Sequence, residues 1–176
     1  MDFFAVPTLR FKVLYVFVVL NHSRRQVVHF AVTANPTMAW VIQHLREAMP
    51  FGQQATYLFR DNDGIYGKAV SRFLVGTGVE EVKTPTEVLG RIHSWRGISV
   101  LYGESCWTVI ILSEEHLKGL LKEFIEDYYH VARPHQGLDG NTPYAFAKPE
   151  AVTAASRLVS IRVVGGLHHR YLRVAA

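Results

Sequence analysis

Residues 11–33 have the sequence FKVLYVFVVLNHSRRQVVHFAVT, and this stretch decides the fold class. Two runs rich in Val, Phe, Tyr and Leu, at 11–20 and 26–33, flank a polar turn at 21–25. β-Branched and aromatic runs bounded by turn residues are typical of strands. A shorter apolar run at 3–6 precedes them. The pattern predicts an antiparallel meander of three strands.

Helix and strand patterns alternate downstream of this meander. Thr37 can cap a helix whose apolar residues recur at helical spacing until Pro50 stops the run. Residues beyond Pro149 are predicted to be loop-like. Along the chain, the predicted strands of the meander come first, and strands then alternate with helices. This order predicts an α/β fold with a mixed sheet flanked by helices. The further predicted elements are strands at 55–59 and 79–82 and helices at 67–74 and 113–130.

The composition is typical of one globular domain: 176 residues, of which 49% are apolar and 19% charged. A formal charge of +4 favours an anionic partner. A single cysteine, Cys106, excludes an internal disulfide and indicates a reducing compartment. The longest apolar run, at 13–20, is far shorter than the roughly 20 residues of a membrane-spanning helix. Because the first residues also lack a signal-peptide pattern, we expect a cytoplasmic protein without a membrane partner.

Two aspartates are the candidate catalytic residues. Asp2 lies on the first predicted strand and Asp61 directly follows the fourth, an arrangement that can place both carboxylates at one edge of a sheet. Paired carboxylates of this kind hold Mg²⁺ or Mn²⁺ and support phosphoryl transfer. From spacing alone, the alternative is that both are solvated strand-end residues. A calcium loop at 61–64 is excluded, because Val70 stands where the bidentate Glu is required.

The histidines give no metal-ligand pattern. We interpret each of them as a turn, surface or half-buried residue. His168 and His169, with Arg170 and Arg173, are either a phosphate contact or part of a solvated basic tail. The histidines without ligand spacing among themselves are His22, His29, His44, His116 and His130.

Three motifs resemble the catalytic domain of the integrase and insertion-sequence transposase superfamily. Residues 20–25, LNHSRR, match its "LDxxSR" turn, with Asn21 in place of the usual aspartate. Residues 59–67, FRDNDGIYG, resemble its "RDRDxxYG" motif around the second catalytic Asp. Residues 128–143, YYHVARPHQGLDGNTP, resemble its closing "YYNxxRxHxxLxxxTP", which is the most specific of the three.

The resemblance implies an RNase H-like mixed sheet flanked by helices and an enzyme of metal-dependent DNA strand transfer. It implies a catalytic core at 1–148 and a basic C-terminal tail at 149–176. Asp2 and Asp61 would be the catalytic, Mg²⁺- or Mn²⁺-binding residues. Asp61 is preferred to Asp63 because the family Asp precedes the aromatic residue of its motif by five positions.

The same resemblance implies partners. These would be DNA, as transposon ends and target, and further copies of the chain in a homo-oligomer. The residues implied to contact DNA are Arg24, Arg25, Arg133 and His135.

Residues 85–108 depart from the family pattern. They lack its "SPxxNxxxER" helix, which carries the third acidic residue. Codons shifted by one base permit YRSPWANSFVERYLGLVRRELLD, with a Glu at the position of Arg96, as the family spacing requires. We therefore predict a frameshift that begins near codon 85 and is restored near codon 108. The alternative is a genuine divergent insertion, in which case Glu104 becomes the candidate third carboxylate.

Loss of the third acidic residue leaves two functional classes. The first is a DNA-cleaving and joining enzyme that is catalytically impaired. The second is a non-catalytic nucleic-acid-binding or self-associating remnant, whose DNA binding would be modest and salt-sensitive at this net charge. A pseudogene product that is untranslated or rapidly degraded is a third possibility.

Overall fold

The computed structural model describes residues 1–50, 55–61, 64–83, 109–144 and 156–175. Residues 85–108, with the predicted frameshift, lie outside the described residues. The helices are α1 (Met38–Ala48), α2 (Gly67–Gly76) and α3 (Glu114–Glu123), and a π-helical segment, Phe124–Tyr129, continues the last of them. The strands are β1 (Asp2–Pro7), β2 (Val13–Asn21), β3 (Gln26–Thr33), β4 (Tyr57–Arg60), β5 (Glu80–Lys83), β6 (Ser156–Val163) and β7 (His168–Ala175).

The predicted meander is confirmed as a three-stranded sheet in the order β1-β2-β3. β1 and β2 are antiparallel, with Asp2 opposite Val18 and Pro7 opposite Val13. As the central strand, β2 is covered on both faces, and its residues from Val16 to Leu20 are all buried. That burial explains why its sequence is a continuous apolar run rather than an alternating one.

The turn after β2 depends on Asn21. Its side-chain oxygen accepts hydrogen bonds from the Ser23 amide at 3.1 Å, the Ser23 hydroxyl at 2.8 Å and the Arg24 amide at 3.4 Å. This is a side-chain turn that either Asn or Asp can form. The departure from the family aspartate at Asn21 is therefore conservative for the turn.

A second sheet, made of β4 and β5, is parallel. β4 and β5 pair in parallel, with Tyr57 opposite Glu80 and Arg60 opposite Lys83, and α2 connects them. Helix α1 begins as predicted, since the Thr37 hydroxyl accepts a hydrogen bond from the Trp40 amide at 3.2 Å.

The mixed α/β class predicted from the sequence is confirmed. One core joins Phe17 and Val19 of β2, Leu58 of β4, Val41 and Leu45 of α1, and Val70 and Leu74 of α2.

Residues 156–175 form strands where the sequence predicts a loop-like tail. Residues beyond Pro149 were expected to be loop-like, but β6 and β7 form an antiparallel hairpin, with Ser156 opposite Ala175 and Val163 opposite His168. Arginines and histidines interrupt its apolar residues, which hides the strand pattern. Gly165 and Gly166, both at positive φ, form the turn.

The chain divides into two compact units. The first contains Met1–Leu20 and Val28–Glu114, and the second contains Asn21–Val27 and Glu115–Ala176. The apolar core just described lies in the first unit, and the hairpin in the second. None of the helices in the described part of the chain is long and apolar enough to cross a membrane.

Candidate functional site

Asp2 and Asp61 lie near one common group, the amino terminus of Met1. This ammonium donates a hydrogen bond to the carbonyl of Phe59 at 2.7 Å, which ties the start of β1 to β4. Burial lowers the pKa of the amino group to about 6, against the charges of Asp2 and Asp61, which both raise it. The charges of two aspartates that are 59 positions apart in sequence thus act on the same amino group.

The backbone on either side of this pair is held by hydrogen bonds. Asp2 opens β1, and its Oδ1 accepts a hydrogen bond from the Phe3 amide at 2.8 Å. Asp61 directly follows β4, and its carbonyl accepts a hydrogen bond from Nη1 of Arg60 at 2.8 Å. Asp2 is positioned by the pairing of β1 with β2, whereas Asp61 directly follows Arg60, the last paired residue of β4.

The buried Arg60 side chain holds the backbone at Asp61 in place. Its side chain is 4% exposed, and its Nε donates to Oε1 of Glu81. The same carboxylate oxygen accepts a hydrogen bond from the Ser71 hydroxyl at 3.1 Å. The guanidinium also lies 4.9 Å from the centre of the Tyr66 ring. Burial opposes ionisation of Glu81, but the bonds from Arg60 and Ser71 outweigh it and lower its pKa.

The end of the FRDNDGIYG motif is structural. Tyr66 is fully buried in the core of the first unit, with its ring centre 5.7 Å from that of Phe3. Gly67 has a φ of +48°, and a Cβ at that position would overlap Sδ of Met38. Only glycine fits there without strain. The motif therefore combines one candidate catalytic residue, Asp61, with positions that α2 requires in order to begin.

The donor set at Asp2 and Asp61 suits a hard divalent cation. Mg²⁺ and Mn²⁺ prefer oxygen ligands, and carboxylates supply them. The residues present therefore fit the metal that the family resemblance implies.

Three of the four predicted DNA contacts come together around Tyr129 in the second unit. The Arg133 guanidinium lies 5.7 Å from the centre of the Tyr129 ring, and the His135 ring packs edge-on against it at 4.9 Å. Arg25 packs against Gly137 in the same group. Arg24 is exposed in the turn after β2. We call Arg25, Tyr129, Arg133 and His135 the basic cluster.

Two buried polar atoms of the basic cluster lack a hydrogen-bond partner among the described residues. The Tyr129 hydroxyl and Nε2 of His135 are buried and have no hydrogen-bond partner in the part of the chain that the structure describes. Burial lowers the pKa of His135, and the charges of Arg133 and Arg25 lower it further. The two guanidinium groups of the basic cluster favour an anionic oxygen ligand.

His130 has a structural role. It is 3% exposed, and its Nε2 accepts a hydrogen bond from the Val27 amide at 2.9 Å. Burial lowers its pKa to about 4, and the charge of His135 acts in the same direction. The neutral ring is therefore the form that the fold requires.

The tail histidines have different surroundings. His168 stacks on Tyr128, with ring centres 4.4 Å apart, and its pKa is lowered by burial. His169 and Arg170 line a cavity of about 380 Å³ with Tyr171, Leu172, Val131 and Ala132. Neither carboxylate of the candidate site lines this cavity.

Two histidines for which we predicted no ligand spacing do meet. His29 of β3 lies 3.0 Å from His44 of α1, ring nitrogen to ring nitrogen, and His44 lies 2.8 Å from Glu47. Both histidines are half-buried, as predicted, but the prediction of no ligand spacing missed their contact. The pairing of His44 and Glu47 three positions apart on a helix is readable from sequence, whereas the approach of His29 depends on tertiary packing.

Comparison with known proteins supports the fold assignment. No family model matches the sequence, and no curated protein matches it. The crystal structure of the catalytic core domain of BIV integrase matches with a TM-score of 0.52 and 13% identity, over 81% of this chain and 89% of that one.

A second solved structure agrees. It is the simian T-cell lymphotropic virus intasome in complex with the PP2A regulatory subunit B56 gamma, with a TM-score of 0.52 and 13% identity. The match covers 97% of this chain but only 64% of that one. The chain has the RNase H-like α/β fold of integrase catalytic core domains.

Proposed function

We propose that this chain is the catalytic core of a DNA-integration enzyme of the transposase type, with Asp2 and Asp61 as its metal-binding catalytic residues. The observation that supports the proposal is that the charges of both carboxylates act on one amino group in an integrase-like fold. The core corresponds to residues 1–148, and residues 149–176 form a basic addition.

Asp2 and Asp61 would hold Mg²⁺ or Mn²⁺. When bound, such an ion activates water or a 3′-hydroxyl for attack on a DNA phosphodiester. The protein's own contribution is rigidity: Arg60, held by Glu81 and Ser71, fixes the backbone at Asp61. Positioned carboxylates lose little entropy when the ion binds, which is the condition for effective preorganisation.

The basic cluster would contact the DNA backbone. Phosphate oxygens suit the guanidinium groups of Arg25 and Arg133. Arg24, exposed beside Arg25, would add a further charge. One solved neighbour is an intasome, and assembly of this chain with further copies on DNA is part of the proposal.

We expect the enzyme to be impaired. The third carboxylate of the family pattern has no counterpart among residues 85–108, and the shifted reading frame accounts for its loss. Sequencing of the coding DNA across codons 85 to 109 tests the frameshift. Replacing residues 85–108 with the reframed sequence is expected to restore metal-dependent strand transfer, and an active unmodified chain would contradict the impairment.

The carboxylate assignment is tested by Mn²⁺ binding, measured calorimetrically on the whole chain. The chain is expected to bind Mn²⁺, and Asp61→Asn and Asp2→Asn are each expected to weaken binding at least tenfold. Asp127→Asn, an exposed carboxylate in the second unit, is the matched control and is expected to change nothing. Equal loss in the control, or unchanged binding in Asp61→Asn, would refute the assignment.

A non-catalytic nucleic-acid-binding remnant is the second candidate. It is favoured by the basic cluster, which needs neither carboxylate. Under this alternative, DNA affinity falls with salt and does not change when Mg²⁺ is removed. The double variant Arg25→Gln with Arg133→Gln is expected to lose DNA binding. Lys68→Gln with Arg72→Gln, at two exposed positions of α2, gives the same change in charge and serves as the control.

A further inference from the structure

His29, His44 and Glu47 converge at one point between β3 and α1. Nε2 of His29 lies 3.0 Å from Nδ1 of His44, which lies 2.8 Å from Oε2 of Glu47. The third side, from His29 Nε2 to Glu47 Oε2, is 3.7 Å. All three atoms lie within 4.8 Å of one another, and all three residues belong to the first unit.

These spacings match the ligand spacings around zinc. Zn²⁺ binds imidazole nitrogen and carboxylate oxygen at about 2.0 to 2.2 Å, which separates tetrahedral ligand atoms by about 3.3 Å. The three observed distances bracket that value. The circle through the three atoms has a radius of about 1.9 Å, so a point about 2.05 Å from each lies about 0.8 Å outside their plane. A tetrahedral ion would occupy that point with little movement of the ligands.

Hydrogen bonding alone satisfies this cluster poorly. Nδ1 of His44 carries either one proton or one lone pair, yet it contacts both His29 and Glu47. If Nδ1 is protonated, its single hydrogen is shared between two acceptors. A metal ion accepts electron pairs from all three atoms at once, which no single proton can do.

Glu47 is also held by a contact from outside the cluster. Nε2 of Gln43 donates to the other carboxylate oxygen, Oε1, at 3.0 Å and leaves Oε2 for the cluster. Such outer contacts orient metal ligands.

We infer that His29, His44 and Glu47 form a binding site for a transition-metal ion of the Zn²⁺ class, separate from the oxygen-only pair at Asp2 and Asp61. Two nitrogens and one oxygen select Zn²⁺, Co²⁺ or Cu²⁺ over Mg²⁺. Glu47 is 44% exposed, so water can fill the fourth position and the ion can exchange. The bound ion would fasten edge strand β3 to α1.

The test is calorimetric titration of the metal-stripped whole chain with Zn²⁺, in excess Mg²⁺ that occupies any oxygen-only site. One Zn²⁺ per chain is expected to bind and to raise the melting temperature by several degrees. Co²⁺ is expected to give the strong visible absorption of a four-coordinate ion. Trp40, whose ring lies 4.2 Å from that of His44, should lose fluorescence when Cu²⁺ binds.

Variants separate this site from other sources of metal binding. His44→Gln and the more exposed Glu47→Gln are each expected to weaken Zn²⁺ binding at least tenfold and to abolish the thermal shift. His169→Ala, which removes an exposed histidine of β7, and Asp61→Asn are expected to leave both unchanged. Undiminished binding in both cluster variants, or loss of binding in Asp61→Asn, would overturn the inference.

Discussion

Arg60 and Glu81 form a buried ion pair across β4 and β5, with side chains 4% and 13% exposed. The pair stands directly beside the candidate catalytic residue Asp61, whose carbonyl Arg60 also binds. Because Ser71 of α2 shares the Glu81 oxygen, three elements of the first unit meet at one carboxylate. The backbone at Asp61 is therefore held by a polar network as well as by its direct link to β4.

Removal of Glu81 tests this dependence. Glu81→Ala leaves the Arg60 charge buried without its partner, and we expect a loss of about 3 kcal/mol in the free energy of unfolding. Urea denaturation at pH 7 measures the loss. Glu80→Ala removes the exposed neighbouring carboxylate of the same strand and should cost less than about 0.5 kcal/mol. Similar losses in both variants would mean that the ion pair contributes nothing specific.

His130 predicts a pH dependence of stability. Its pKa is about 4 in the fold and 6.5 as a free side chain, so between these values the unfolded chain binds the extra proton. The stabilisation is fully present above pH 6.5 and declines as the pH falls from 6.5 to 4, by up to about 3 kcal/mol. Urea denaturation at a series of pH values measures the decline.

The control for this dependence is His130→Gln. Gln has no titratable group but can still accept the hydrogen bond from Val27. The variant should be less dependent on pH between 4 and 6.5 than the parent chain. If the two profiles have the same slope, another group controls acid stability.

Two glycines are expected to respond to alanine in opposite directions. Gly119 lies inside α3 with nothing within 4 Å of an added Cβ, so Gly119→Ala should stabilise the chain by about 0.5 to 1 kcal/mol. Gly67 has positive φ and faces Met38, so Gly67→Ala should destabilise it by at least about 1 kcal/mol. Urea denaturation of both variants provides the measurement, and a neutral Gly67→Ala would contradict the strain argument.

Local signals in the sequence predicted the described strands and helices of the first unit. The apolar run of β2 and the cap at Thr37 act over a few residues, and the structure confirms both. The contact between His29 and His44 depends on packing of β3 against α1, which no local pattern encodes. The hairpin at 156–175 was missed because its charged residues mask the alternation of apolar ones.

The relationship between Asp2 and Asp61 could be predicted only in part from the sequence. The motifs around each aspartate suggested it, but strand spacing alone left solvated positions as the alternative. The decisive contact is the hydrogen bond from Met1 to Phe59, between residues far apart in sequence. Such long-range contacts follow from chain topology rather than from local propensity.

Gly137 offers a way to disturb the basic cluster without removing a charge. A Cβ at this position would lie 3.1 Å from Nη2 and 3.3 Å from Nε of Arg25, so the flexible guanidinium must move by a few tenths of an ångström. If Arg25 contacts a DNA phosphate, Gly137→Ala should lower DNA affinity roughly two- to fivefold, because a charged hydrogen bond is misaligned.

The measurement is fluorescence anisotropy with a labelled duplex at two salt concentrations. Because Gly137→Ala retains the Arg25 charge, the slope of affinity against salt should stay close to that of the parent chain, whereas Arg25→Gln should lower it by about one. Gly119→Ala, which adds the same methyl group at an open helical position, serves as the control and should bind DNA normally. Unchanged affinity in both Gly137→Ala and Arg25→Gln would place the DNA contact elsewhere, since neither the geometry nor the charge of Arg25 would then affect binding.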